Sequence, residues 1–138
     1  MDQKLELLKR VPLFAGCDRR NIEVIGGITE EVDVGAGTVL MRQGDTGDAF
    51  YVIVTGSVSL DRDGVAFRTL GPGDFLGELA LLDHGRRTAT ATATEPTRLV
   101  VLGHREFEQL MADYEGIRGQ VWAAVGSRLR NHEPSAAD

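Results

Sequence analysis

The chain has 138 residues and a formal net charge of −6, from 15 Lys and Arg against 21 Asp and Glu. With 42% hydrophobic and 26% charged residues it has the apolar content for one core, which excludes a disordered chain. No apolar run approaches the roughly 20 residues that cross a bilayer, and the N-terminus MDQKLELLKR lacks a secretory apolar region.

The acidic balance and the scattering of basic residues argue against nucleic acid as a partner, because phosphate binding draws on clustered Lys and Arg. Cys17 is the single cysteine, which excludes an intrachain disulfide and a cysteine-rich zinc site and agrees with a reducing, cytoplasmic setting. Glycine is in excess: 17 residues, about 12% against an average near 7%, imply many tight turns.

Residues 4–14 begin with Leu5 and Leu8 at helical spacing, Pro12 breaks the pattern and Phe14 follows in a turn. Asp18 is the expected N-cap of a second helix over DRRNIEVIGGI, with Ile22, Ile25 and Ile28 on one face and Arg19, Arg20 and Glu23 facing out. From Glu30 the period falls to 2 and glycines punctuate the chain at short intervals. The strands this predicts are 30–34, 38–42, 49–55, 57–61, 65–70, 87–93 and 97–103.

Such spacing suits an antiparallel sandwich or jelly roll, so the fold class is mainly β with flanking helices. In RTATATA, alternation puts Ala89, Ala91 and Ala93 on one small face and Thr88, Thr90 and Thr92 on the other. After Gly103 the helical period returns, first with Phe107, Leu110 and Met111 facing inward and then with Ile117, Val121, Ala124, Val125 and Leu129. The tail HEPSAAD is small and polar and is expected to fray, giving a single domain over 1–131 and a tail over 132–138.

The segment PGDFLGELALLDHGRRTAT reads as an anion cradle. Gly77 allows close backbone approach. A helical turn from Glu78 to Leu82 would present the N–H groups of Leu79 and Ala80 with the positive end of the dipole behind them. One arginine completes a phosphate site, because a guanidinium fork forms charge-assisted bonds roughly twice as strong as neutral ones. Glu78 would repel that phosphate unless it accepts hydrogen bonds from ligand hydroxyls, such as those of a ribose, while pairing with the arginine.

On these residues the chain resembles the cyclic-nucleotide-binding domain of protein kinase A regulatory subunits, catabolite activator proteins and cyclic-nucleotide-gated channels. RQGDTGDAFYVIVTGSVSL (42–60) is similar to the family's strand-turn-strand stretch, and GELALLDHGRRTATATA (77–93) to its phosphate-binding cassette. The resemblance implies a β-roll flanked by helices. It implies further that Glu78 binds the ribose 2′-hydroxyl, Arg87 the cyclic phosphate, and the backbone amides of Gly77, Leu79, Ala80 and Thr88 the remaining oxygens.

The chain departs from the family at Leu76, where an aromatic is common, and at Arg86, where many members have proline. The Arg-Arg-Thr form resembles the channel branch, so Thr88 leaves cGMP open beside the preferred cAMP. In the family the purine is covered by the helix after the roll or by a partner subunit. Trp122 is the candidate here, with core and dimer contact as its other readings, and Arg128 or Arg130 could also reach over the base. The last helix either covers its own ligand or pairs with a second copy in a homodimer.

Other chemistries find little support. Asp45 and Asp48 in GDTGD are turn formers rather than a calcium loop. His84, His104 and His132 lack metal spacing and are expected to be exposed, and without a His-x-His pair a metal-dependent cupin enzyme is disfavoured. Gly71-x-Gly73 sits among strands and is no dinucleotide fingerprint. No catalytic constellation or P-loop lysine is present. The expected protein is therefore a non-enzymatic receptor with a cyclic nucleotide as ligand and no further cofactor or metal. Its effector would be an unidentified protein, with neither DNA nor membrane as partner, and the alternative is a degenerate module serving only as an interaction scaffold.

Overall fold

Alternating apolar residues and glycine turns produce two facing antiparallel sheets in a computed structural model that describes residues 3–14, 16–46, 49–77, 87 and 89–130. Before the sheets come α1 (Gln3–Arg10), a 3-10 turn (Pro12–Phe14) and α2 (Arg19–Ile28). The strands are β1 (Glu30–Val34), β2 (Val39–Met41), β3 (Ala49–Thr55), β4 (Val58–Arg62), β5 (Val65–Leu70), β6 (Phe75–Leu76), β7 (Thr90–Ala93) and β8 (Thr97–Gly103). Two helices follow, α3 (His104–Asp113) and α4 (Glu115–Arg130). The tail expected to fray, with its His132, lies outside the described residues, as do His84, Arg86 and Asp48.

Sheet one has the order β1-β8-β3-β6 and sheet two the order β2-β7-β4-β5. The near-continuous apolar runs of β3 and β8 place these two strands in the middle, packed on both faces, while β1 forms an edge with Glu30, Glu31 and Asp33 exposed. Met41, Ile53, Val58, Leu60, Leu70, Leu76, Ala91 and Leu99 fill the space between the sheets. Phe50, Val52, Phe75, Val100 and Leu102, the alternate positions of sheet one, pack instead against helical residues that include Leu8, Phe14, Ile25, Phe107 and Val121. The small face expected of RTATATA is thus built into the inter-sheet core at Ala91, with Ala89 and Ala93 also buried.

The helical ends follow the local chemistry. Asp18 caps α2 by accepting a hydrogen bond from the Asn21 N–H at 2.8 Å, and Ile22 and Ile25 are buried. At the other end, Lys4 Nζ donates to the carbonyls of Gly26 (2.7 Å) and Thr29, which satisfies part-buried helix-end acceptors and ties α1 to α2. Phe107, Leu110 and Met111 of α3 point inward, and the Phe107 ring lies 4.6 Å from that of Phe50.

Several boundaries differ from the sequence expectation. The seventh strand begins at Thr90 rather than 87, and β6 is an additional two-residue strand. Trp122 is 52% exposed, so it does not belong to the core; its neighbour Val121 takes the inward position on α4. His104 is half-buried rather than exposed, because its ring reaches Glu108 one turn later at 3.1 Å.

Candidate functional site

The site is organised around Arg87, which is 97% buried by its 3% exposure. A buried guanidinium is costly unless it is hydrogen-bonded. Its Nη2 donates to the carbonyl of Ala49, the first residue of β3, at 2.7 Å, and its Nη1 donates to the carbonyl of Gly77 at 3.2 Å. These two bonds fix the orientation of the guanidinium plane.

Gly77 is dictated by geometry. Its φ of +98° lies in the left-handed region, which L side chains rarely adopt. A Cβ there would stand 2.6 Å from the Ala49 carbonyl oxygen and 3.0 Å from Arg87 Nη1. Only glycine lets β6 pass this close to β3 with the arginine in between.

The main chain of Arg87 is fixed as firmly as its side chain. Its N–H donates to the Asp45 carbonyl at 2.8 Å, and its own carbonyl accepts from the Gly44 N–H at 2.7 Å. Asp45 acts through this turn, whose closing bond runs from its N–H to the Arg42 carbonyl at 3.1 Å. That is the turn-forming role expected of it. Gly71 and Gly73 also serve a turn: the Asp74 carboxylate accepts from the Gly71 N–H at 2.9 Å, and the Gly73 N–H donates to the Ile53 carbonyl at 2.8 Å.

Of the residues singled out from sequence, Gly77 and Arg87 are brought together. Glu78, Leu79, Ala80 and Thr88 lie outside the described residues, and so does the Arg128 side chain. Trp122 projects from α4. That helix is anchored by Gln120 Nε2, which donates to the Leu13 carbonyl at 3.4 Å, and by Arg118 Nη1, which donates to the Met111 carbonyl at 2.9 Å. Ala49 was not foreseen. Its contribution is a backbone carbonyl, which no side-chain pattern announces.

Two cavities among the described residues differ in their relation to this arrangement. One of about 490 Å³ touches it through Ala49 and is otherwise lined by residues such as Thr29, Glu30, Gly103 and Glu106. Another, of about 260 Å³, lies between α2 and the α3–α4 junction and is lined by Cys17, Asn21 and Tyr114 among others. Burial and the neighbouring Asp18 raise the Cys17 thiol above its ordinary pKa, so it is held as a thiol despite its place near a helix N-terminus. Among the described residues no helix is long and apolar enough to cross a membrane, and no three His, Cys, Asp or Glu side chains group to hold a metal ion.

Comparison with known proteins identifies the surroundings of this arginine. The sequence profile of the cyclic nucleotide-binding domain matches residues 31–114. A CRP-like cAMP-activated global transcriptional regulator of Mycobacterium tuberculosis is 30% identical over 96% of this chain and 62% of its own length. A cAMP-dependent protein kinase regulatory subunit of Yarrowia lipolytica is 35% identical over 86% of this chain and 34% of its own length. The chain thus spans less than two thirds of either relative. The crystal structure of the Thermus thermophilus catabolite activator protein superposes with a TM-score of 0.78 at 31% identity, covering 88% of this chain and 59% of that one.

Proposed function

Because the chain belongs to the cyclic nucleotide-binding domain family, we propose that it is a receptor module that binds a 3′,5′-cyclic nucleotide and converts occupancy into movement of its C-terminal helices. The observation that carries this reading is the buried Arg87, oriented by carbonyls of β3 and of left-handed Gly77 at the mouth of the GELALL segment. In the proposed complex Arg87 holds the cyclic phosphate, Glu78 the ribose 2′-hydroxyl, and the amides of Gly77, Leu79, Ala80 and Thr88 the remaining oxygens. The preferred ligand is cAMP, in keeping with the cAMP-linked names of both relatives. Thr88 makes cGMP the competitor to measure.

Trp122 and Arg128 are the proposed covers for the purine. Stacking on the Trp122 ring would contribute about 1 kcal/mol, and its exposure equally suits a contact with a second copy. Gly116 and Gly119 each weaken α4 by about 1 kcal/mol relative to alanine, which favours a helix that tightens when the site fills. Hydrogen exchange in α4 is expected to slow at saturating ligand, and unchanged exchange would sink the helix movement. The proposed role is regulatory and non-enzymatic, exerted in the cytoplasm on a protein effector rather than on DNA or a membrane.

Isothermal titration of the nucleotide-stripped chain with cAMP and then cGMP, beside the Arg87→Ala variant, tests the reading. Saturable binding by the chain and its loss in the variant are expected. The second reading is a scaffold without ligand, favoured by the same carbonyl bonds if their only task is to join β3 to Gly77. It predicts no binding of either nucleotide by the unaltered chain.

A further inference from the structure

Two loop tips near Arg87 are joined by a reciprocal pair of side-chain bonds. Gln43 Nε2 donates to Asp63 Oδ1 at 2.8 Å, and Gln43 Oε1 accepts from the Asp63 N–H at 2.8 Å. The amide orientation follows from the chemistry, because only its oxygen can accept from a backbone N–H. Asp63 and Gly64 form the turn between β4 and β5 with φ of 54° and 82°, the left-handed pair of a two-residue hairpin, in which Asp-Gly is favoured. The Asp63 N–H and carboxylate therefore project together from a rigid hairpin.

Gln43 passes that rigidity on. Its own N–H donates to Thr90 Oγ1 on β7 at 3.0 Å. The two residues after it supply the Gly44 N–H and the Asp45 carbonyl that bond both sides of the Arg87 main chain. A continuous path of short hydrogen bonds thus runs from the hairpin tip through Gln43 to the backbone of the arginine. The β4–β5 ladder is registered from Val58–Leu70 to Arg62–Val65 by its own backbone bonds, so the hairpin does not need Gln43 to form. The turn at 42–45, in contrast, gains a side-chain tether to a neighbouring strand connection.

We propose that Gln43 and Asp63 are positioning residues for the nucleotide site: their reciprocal pair holds the 43–45 turn that sets the main chain of Arg87. This deepens the receptor reading and rests on it. The guanidinium must meet a phosphate within a few tenths of an ångström, and a turn free to drift would spread its positions and weaken binding without removing any ligand contact.

The test uses the full chain with Gln43→Ala, Asp63→Ala, the pair together, and the conservative Asp63→Asn, which keeps both the Oδ1 acceptor and the backbone N–H. In the ligand-free chain, Gln43→Ala is expected to speed exchange of the Arg87 amide proton, while Asp63→Asn leaves it slow. In titrations with cAMP, Gln43→Ala is expected to raise Kd by about three- to tenfold, the loss of one to two exposed hydrogen bonds. Asp63→Asn should stay within about twofold of the parent, and the double variant should be no weaker than the worse single, because one interaction is being removed twice.

Arg87 amide exchange or cAMP affinity that ignores Gln43→Ala overturns the proposal, as do additive losses in the double variant. If the unaltered chain binds no cyclic nucleotide the receptor reading fails and the positioning role falls with it, an outcome distinct from tight binding that ignores Gln43.

Discussion

Two arginines in this molecule are held in different surroundings. Arg98, on β8 in sheet one, lies at the surface and pairs with carboxylates: its Nε stands 2.8 Å from Asp33 Oδ1 and 3.4 Å from Glu31 Oε1 on the adjoining β1. Arg87 lies inside and bonds backbone carbonyls of β3 and Gly77. The first arrangement neutralises a charge where water already screens it, and such pairs contribute little. The second spends buried hydrogen bonds on holding a cation in one orientation, which is the arrangement a phosphate site requires.

The sharpest way to break this comparison is to truncate each arginine. Arg87→Ala is expected to abolish measurable cyclic-nucleotide binding, a loss on the order of 3–5 kcal/mol, because a buried phosphate would be left uncompensated. It should also lower stability by about 2–4 kcal/mol through the two orphaned carbonyls, read as a fall in the denaturation midpoint. Arg98→Ala should leave both affinity and midpoint nearly unchanged.

Gly77→Ala comes next. The added Cβ meets the Ala49 carbonyl oxygen at 2.6 Å in a left-handed conformation, so strain and steric displacement should cost about 2–3 kcal/mol and weaken nucleotide binding. Gly71→Ala, six residues earlier, meets nothing within 4 Å, and is expected to melt close to the parent. Equal effects of the two substitutions would remove the geometric argument for Gly77.

The smallest effect separates the two arginines by pH. The hydrogen bond from Arg98 holds the Asp33 carboxyl below its ordinary value of 3.8. A depressed folded-state pKa stabilises above the unfolded value and ceases to do so as pH falls through the folded one. Any difference in melting temperature between the parent and Arg98→Ala should therefore be present at neutral pH and close below about pH 4. A difference that persists unchanged in strong acid would assign it to packing of the Arg98 stem.

Much of the fold could be read from local pattern because local pattern determines it. Strands 30–34, 49–55, 65–70 and 97–103 have the bounds their alternation and flanking glycines suggest, and Asp18 caps α2 as its side chain dictates. The two residues of β6 are too few to show a period, and both are buried. At the other boundary, Arg87 pairs its main chain with the 44–45 turn instead of extending β7, a tertiary choice hidden from alternation. In the site, Gly77 and Arg87 were legible because their places follow from the side chains themselves, a missing Cβ in one and a guanidinium in the other. Ala49, Gln43 and Asp63 were not, since one acts through a carbonyl and the others meet across 20 residues of sequence. Trp122 misled in one of its readings because an aromatic at helical spacing resembles core until the partner face is known.

The packing of β3 and β8 on both faces also sets where this molecule can be altered. A substitution in β3 or β8 disturbs two packed layers at once, whereas sheet two keeps an outer side where Ser59, Thr90 and Thr92 are half-buried and Ala66 and Thr69 are exposed. A fluorophore or tether placed at Thr69 would report on the roll from outside, leaving intact both the inter-sheet layer and the strand whose first carbonyl orients the arginine. Sequence drift and engineered handles have the same permissive address.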